Sequence, residues 1–171
     1  MLTQSQLQTI KNEILADPVL NAYPNTADGN FAIAAALNLT AVPAWWVWRQ
    51  HVSKADFVQG ASIDGTVFNW TGTGFITRSA GERDAWREMF NGEGFANPSL
   101  ANVRQAFLDI FSGAIEPAPS NRTHLRAVAR RTASRVEKIL ATGTGSTSAP
   151  GTMTFEGAIS FQDVQDARNL P

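Results

Sequence analysis

The sequence contains no cysteine and only two histidines among 171 residues, which excludes several kinds of functional site. Without thiols the chain has no disulfide framework, no thiol nucleophile and no cysteine-ligated zinc or iron–sulfur centre. With His51 and His124 alone, a histidine-rich catalytic metal centre is not expected either. The sequence therefore predicts neither a metal site nor a cofactor.

Charge and long apolar runs are also scarce. Charged residues make up 17% of the chain, and 14 Lys+Arg against 15 Asp+Glu leave a net charge of −1. Such a balance creates no overall field that would draw the protein to nucleic acid or to a membrane. No apolar run approaches the ~18 residues of a membrane span. The N-terminal sequence MLTQSQLQTIKNEILADP lacks the pattern of a secretory signal. We therefore expect a soluble protein made in a reducing compartment.

Motifs of catalysis and nucleotide binding are missing as well. Neither acidic pair, at 82/84 or at 163/166, lies in a patterned motif with an adjacent His or Lys, and no nucleophile elbow or His-Glu-x-x-His is present. The Gly-Thr-Gly triplets at 72–74 and 143–145 lack the third glycine and the lysine of nucleotide-binding loops, and they are typical of linkers or tight turns. We expect no enzymatic activity and assign no catalytic residue.

Helical periodicity is the main pattern that the chain does contain. Its strongest case is an apolar stripe at Leu100, Val103, Phe107 and Ile110/Phe111. Residues 62–79, which are rich in β-branched and aromatic side chains, predict a short β-hairpin or an ordered loop. The fold class is therefore mostly α, a helical bundle with that insertion. The predicted helices span about 3–16, 28–39, 43–60, 80–90, 98–113 and 120–141.

The composition changes after residue 141, where the chain becomes small, polar and glycine-rich with almost no charge. We therefore predict a helical domain at 1–141 and an extended C-terminal arm at 142–171. Apolar residues between Met153 and Phe161 alternate almost two by two, as in a strand that is added to a neighbour's sheet or that fills successive pockets. The arm is expected to become ordered on assembly, and the alternative is a disordered tail.

Basic residues are concentrated in the last predicted helix, where only Glu137 opposes them. Three of them, spaced by four residues, would form one row beside an apolar row. This row indicates a contact with phosphates or with an acidic protein neighbour, and the alternative is a solvated face paired with acids elsewhere. We favour protein docking because the whole chain is not basic. The six basic residues are Arg122, Arg126, Arg130, Arg131, Arg135 and Lys138.

Three of the five tryptophans lie within four residues, at Trp45, Trp46 and Trp48. Most such residues belong to a core. Because Trp is enriched in interfaces, the alternative is that they act as aromatic anchors between subunits.

Six segments follow one another in an order that resembles a known group of proteins. They are LTQSQLQTIKNEILADPVL, DGNFAIAAALN, VPAWWVWRQHVS, WREMFN, NPSLANVRQAF and RVEKILATGTGSTSAPGTMTFEGAISFQDVQDARN. Over most of the chain they resemble a family of small proteins encoded among the virion genes of tailed bacteriophages and prophages. The predicted architecture is similar to that of head–tail connector (adaptor) proteins.

This resemblance implies a structural protein of the virion neck, present in the host cytoplasm during assembly. Adaptors form a ring, commonly of twelve subunits, below the portal protein; a further neck or tail protein binds the ring, and DNA passes through its channel without sequence-specific binding. The basic row would then contact the next subunit or lie near the DNA. The resemblance places portal docking on the arm, at Phe155, Ile159, Phe161, Val164 and Arg168.

Two alternatives to the connector function are kept. One is a DNA-binding module that uses the basic helix at 122–138. The other is a capsid decoration or head-completion protein, because the 62–79 segment has no role that the resemblance assigns.

Overall fold

The computed structural model describes residues 1–60, 62, 64–70 and 75–171. The predicted mostly α fold is confirmed, since helices dominate the described residues and every sheet there has two strands. The helices are α1 (Gln4–Ala16), α2 (Pro18–Asn21), α3 (Ala27–Asn38), α4 (Lys54–Gln59), α5 (Ala80–Glu88), α6 (Ala101–Ile110), α7 (Ala118–Val128), α8 (Arg135–Leu140) and α9 (Phe161–Arg168). The strands are β1 (Trp46–Trp48), β2 (Val52–Ser53), β3 (Phe95–Ala96), β4 (Arg130–Thr132), β5 (Ala141–Thr142) and β6 (Thr152–Met153).

The chain divides into two compact units, and the predicted boundary at 141/142 is not the observed one. The terminal unit combines residues 1–47 with residues 132–171, and the central unit is the continuous segment 48–131. Local composition suggested a division near the C-terminus, but the contacts that define a unit join residues far apart in the sequence.

The terminal unit has an aliphatic core. Helix α9 packs on α1 and α3, and α8 packs on the same two helices. The helix α1 begins at a capping box, in which Thr3 Oγ1 accepts from the Gln6 amide and Gln6 Oε1 accepts from the Thr3 amide. Strands β5 and β6 pair antiparallel, with Ala141 opposite Met153. The buried side chains of this core are Leu2, Ile10, Ile14, Leu20, Ile33, Ala34, Leu37, Val136, Leu140, Ile159, Val164 and Ala167.

The central unit has an aromatic core built around Trp86. This side chain is fully buried, and the Phe90 ring centroid lies 4.9 Å from its own. Most of the aromatic pairs are tilted or edge to face, the arrangements that aromatic quadrupoles favour. Strands β2 and β3 pair antiparallel, with Val52 opposite Ala96. The buried rings of this core are those of Trp48, Phe57, Phe68, Trp86, Phe90, Phe107 and Phe111.

The predicted helix at 43–60 is wrong over its first two thirds. Trp46–Trp48 forms the strand β1, and only Lys54–Gln59 is helical. Aromatic and β-branched side chains fit an extended backbone better than a helix. The Trp46 amide donates to the Gly145 carbonyl at 2.7 Å, which stabilises that extended backbone. Helix α4 starts only where Ser53 and Asp56 form a capping box.

The predicted continuous helix at 120–141 is also wrong. Helix α7 ends at Val128, strand β4 follows, and α8 begins after Ser134. The Ser134 side chain accepts from the Glu137 amide, and the Glu137 carboxylate accepts from the Ser134 amide. This Ser-x-x-Glu capping box marks a helix start inside the segment that was predicted as one helix.

The predicted extended arm at 142–171 is instead an integral part of the terminal unit. Strand β6 and helix α9 lie within it, and Val164 is fully buried. Its apolar side chains complete a core whose other members come from the N-terminal helices.

For the segment 62–79, the described residues favour the ordered loop over the hairpin, because none of residues 62, 64–70 and 75–79 is in a strand. The Gly72-Thr73-Gly74 triplet lies outside the described residues. Within the described ranges, no helix has the length and apolar character needed to cross a bilayer.

Candidate functional site

The six basic residues predicted as one helical face are divided among three elements. Arg122 and Arg126 lie on α7, and Arg130 and Arg131 lie on the strand β4. Arg135 and Lys138 lie on α8 in the terminal unit. The predicted row of Arg122, Arg126 and Arg130 therefore does not form, and the DNA-binding hypothesis loses the continuous helix at 122–138 on which it was based.

Two of these arginines form ion pairs within their own unit, as the alternative of a paired face predicted. Arg130 Nη2 lies 2.6 Å from Asp64 Oδ2 in the central unit. Arg135 Nη2 lies 2.7 Å from Glu13 Oε1 and 2.6 Å from Asp17 Oδ2 in the terminal unit. These two guanidinium groups hold loop and helix segments of the fold together.

The ion pair between Asp17 and Arg135 shifts the pKa values of both groups. Hydrogen bonding from Arg135, followed by hydrogen bonds from the Val19 and Leu20 amides, lowers the pKa of Asp17. Burial opposes the charge of Arg135, but the hydrogen bonds to Glu13 and Asp17 outweigh it and raise the pKa of the guanidinium. Asp17 and Arg135 therefore both stay ionised at neutral pH.

The most distinctive site in the central unit is a concave groove between α6 and α7, which we call the arginine groove. Its volume is about 540 Å³, and it contains three guanidinium groups together with an indole. Its apolar wall is formed by α6 side chains and by Pro119. The arginine groove is lined by Trp48, Arg104, Leu108, Pro119, Arg122 and Arg126, among others.

Arg104 and Arg126 both approach the ring of Trp48. The guanidinium carbon of Arg104 lies 4.7 Å from the ring centroid, and that of Arg126 lies 5.9 Å away. Trp48 is only 7% exposed and belongs to the aromatic core, so its ring is a rigid platform for the two cations. For Trp48, this position favours the core interpretation over an interface anchor.

Two of the groove arginines are held in place by backbone carbonyls. Arg104 Nη1 donates to the Pro98 and Ser99 carbonyls, each at 2.7 Å. Arg122 Nη1 donates to the Phe111 carbonyl and, at 2.8 Å, to the Gly113 carbonyl. These bonds fix both guanidinium planes.

The groove brings the guanidinium groups of Arg104 and Arg126 close enough to repel each other. Burial lowers the pKa of Arg104, and repulsion from Arg126 lowers it further. Among the described residues that line the groove, none carries a carboxylate. Sequence reasoning found Arg122, Arg126 and Trp48 but missed Arg104, because a single arginine on the amphipathic helix α6 gives no local signal.

The residues predicted to dock the portal lie mostly inside the terminal unit. Ile159 and Val164 are core residues, and Phe155 packs against the same core. The Arg168 guanidinium donates to the carbonyls of Tyr23 and Pro24 and to Asn30 Oδ1. These four side chains attach the C-terminal segment to the rest of its own unit.

Phe161 is the exception among the predicted docking residues, because it is 39% exposed. Its ring centroid lies 6.4 Å from that of Phe31, which is 65% exposed on α3. We call these two rings the phenylalanine pair. They bring two large apolar side chains together on the surface of the terminal unit.

Trp45 and Trp46 both lie in the terminal unit and are half-buried. The Trp45 ring lies against the backbone of Gly145 and Gly151, so closely that a Cβ on Gly145 would lie 1.9 Å from a ring atom. Trp45 thus fixes the loop between β5 and β6. This packing is typical of a structural residue.

Two buried polar side chains also have structural roles. His124 Nε2 lies 2.7 Å from the Phe57 carbonyl oxygen, and Nδ1 lies 3.0 Å from the Thr66 carbonyl oxygen. The imidazole therefore joins α7 to α4 and to the loop that follows it. Glu137 accepts from the Gly157 amide at 3.0 Å in addition to its capping bond, which attaches the C-terminal segment to α8.

Comparisons with known proteins identified no relative of this chain. No protein-family model matches the chain, and neither curated proteins nor solved structures gave a match. In the part of the chain that the structure describes, no three His, Asp or Glu side chains gather as metal ligands would.

Proposed function

We propose that the protein is a structural virion component of a tailed phage, a head–tail connector that forms a ring below the portal and joins the head to the tail. The order of its segments resembles small phage virion proteins, and a mostly α fold suits that class. In this proposal twelve copies surround a channel through which the genomic DNA passes. The ring binds the portal on one side and a further neck or tail protein on the other.

The phenylalanine pair is the observation that carries this proposal. A ring subunit needs apolar surface for its neighbours, and exposed aromatic side chains are enriched in such contacts. Phe31 and Phe161 are held on helices that pack on each other, so the two rings are presented rigidly. In this proposal the portal is bound by an ordered helix and not by an extended arm.

Mass in solution, measured by light scattering on a size-exclusion column with and without the purified portal, tests the proposal. We expect the protein to form a ring on the portal with a fixed stoichiometry. The double substitution Phe31→Ser with Phe161→Ser removes the apolar pair and should abolish that complex.

Ile115→Ser is the matched control, because this side chain is 85% exposed but lies in the central unit. It should leave the complex intact. Absence of any complex between the unmodified protein and the portal overturns the connector function. A complex that survives the double substitution overturns the role of the phenylalanine pair.

A further inference from the structure

The arginine groove is a second surface of the molecule, and its chemistry differs from that of the phenylalanine pair. We propose that the groove binds a short acidic segment of a partner protein, with carboxylates against Arg104 and Arg126 and an aliphatic side chain against Leu108. This proposal does not depend on the connector function, because it concerns only the central unit.

Charge complementarity identifies the ligand as an anion. Three of the chain's fourteen basic residues lie in one groove, in a protein whose net charge is −1. Guanidinium groups present donors in a planar fork that matches a carboxylate in two-point contact. A carboxylate bound near Arg104 and Arg126 would also relieve the repulsion between these two like charges.

The donors are prepared for such a ligand. Arg104 uses Nη1 for the Pro98 and Ser99 carbonyls, while its Nε and Nη2 have no hydrogen-bond partner among the described residues. The ring of Trp48 supports the guanidinium from one side. Because the side chain is already fixed, binding costs little side-chain entropy.

The shape of the groove favours a peptide over a nucleic acid. A duplex is bound by basic side chains that follow successive phosphates along a surface. Here the cations share a single concavity of about 540 Å³ with an apolar wall. Leu108, on that wall, is 48% exposed, and an aliphatic side chain of a peptide can cover it whereas a phosphate backbone cannot.

The test measures the binding of a fluorescein-labelled peptide, Glu-Leu-Glu-Glu, by fluorescence anisotropy. We expect saturable binding that falls about tenfold in Arg126→Gln, since a hydrogen bond to a charged group is lost. Arg104→Lys keeps the charge but removes the planar fork, and it should also weaken binding. The neutral peptide Gln-Leu-Gln-Gln should not bind.

Arg87→Gln is the matched control, because Arg87 is an exposed arginine of the same unit that pairs with Asp84 on α5. It removes the same charge and should change the affinity less than twofold. Leu108→Ser should weaken the leucine-containing peptide but not Glu-Ser-Glu-Glu. Thermal unfolding of each variant verifies that it is folded.

Several results would overturn the proposal. The first is no saturable binding of the acidic peptide, and the second is an equal loss in Arg87→Gln, which would indicate non-specific attraction. Tighter, Arg126-dependent binding of a 12-base-pair DNA duplex would assign the groove to nucleic acid. If inorganic phosphate at equal concentration displaces the peptide, the arginine groove binds a simple anion and not a peptide.

Discussion

The central unit stabilises itself with aromatic rings, whereas the terminal unit uses aliphatic side chains. Seven aromatic side chains are buried in the core of residues 48–131, and the buried core of the terminal unit contains none. The two units also differ in connectivity, since one is continuous and the other joins both ends of the chain. The difference shows that an aromatic-rich stretch of sequence can serve a local core, and that a polar, glycine-rich stretch can complete a distant one.

The largest expected effect comes from truncating the chain after Thr142. This change removes Ile159, Val164 and Ala167 from the aliphatic core. The loss of one large aliphatic side chain from a core already costs about 2–5 kcal/mol of unfolding free energy. We expect the terminal unit to unfold. Hydrogen exchange should show lost protection in α1 and α3 but retained protection in α5 and α6.

A chain shortened only by its last two residues is the control for that truncation, and it should keep its protection pattern. Unchanged protection of α1 and α3 after the long truncation would mean that the C-terminal segment is a free arm after all.

The second effect tests the aromatic core. Trp86→Ala should destabilise the central unit by about 3–5 kcal/mol, because it leaves a large cavity among the surrounding rings. Trp86→Phe should cost much less, since a ring remains and the Trp86 Nε1, which has no hydrogen-bond partner among the described residues, is removed. Urea unfolding followed by near-ultraviolet circular dichroism measures both. Equal costs would show that ring packing does not control this core.

A smaller effect is expected for the glycines that contact Trp45. Gly145 has φ +66 and no space for a Cβ, so Gly145→Ala should cost at least about 2 kcal/mol from backbone strain and overpacking. Gly94 in the central unit has a similar φ of +73 with open space around it, and Gly94→Ala should cost about 1 kcal/mol. The midpoints of thermal unfolding compare the two. If Gly94→Ala is as costly as Gly145→Ala, the contact with Trp45 contributes nothing.

The smallest effect is a pH dependence confined to the terminal unit. Because folding lowers the pKa of Asp17, this group stabilises the fold above its ordinary pKa of about 3.9, and the contribution is lost as the pH falls through the lower, folded value. Arg135→Gln removes the main cause of the shift. It should therefore lower the stability at pH 7, and the difference from the unmodified protein should shrink as the pH falls below the ordinary pKa of an aspartate, about 3.9.

Arg87→Gln again provides the matched control for Arg135→Gln, and its effect should be smaller at neutral pH. Urea unfolding from pH 2 to pH 7 measures the stability of the unmodified protein and of both variants at each pH. A constant difference between the unmodified protein and Arg135→Gln across this range would contradict the role of Asp17.

Local signals predicted the helices α1, α3, α5 and α6, because the apolar positions of each helix lie within one short stretch of sequence. The start of α8 was also readable, because Ser134 and Glu137 form a capping box. That local signal was overlooked when 120–141 was predicted as one helix, whereas the other errors depend on partners far away in the sequence. The burial of Val164 requires helices more than a hundred residues away, and Arg104 meets Trp48 only through the folding of residues between them.

The candidate site shows the same limit. The sequence shows that arginines are concentrated near residue 126. It does not show that the helix ends at Val128, or that the basic residues after this end are divided between two units. Apolar side chains do alternate over residues 153–161, but most of them pack into the interior of their own unit.

The discontinuous make-up of the terminal unit has a consequence for synthesis on the ribosome. The central unit is complete once Arg131 has been translated, whereas the core of the terminal unit lacks Ala167 until residue 167 has been translated. At ~5–20 residues per second, the first helices wait on the order of ten seconds for their packing partners. During that interval the first helices expose the apolar side chains that the C-terminal segment later covers, whereas all residues of the central unit have already been synthesised.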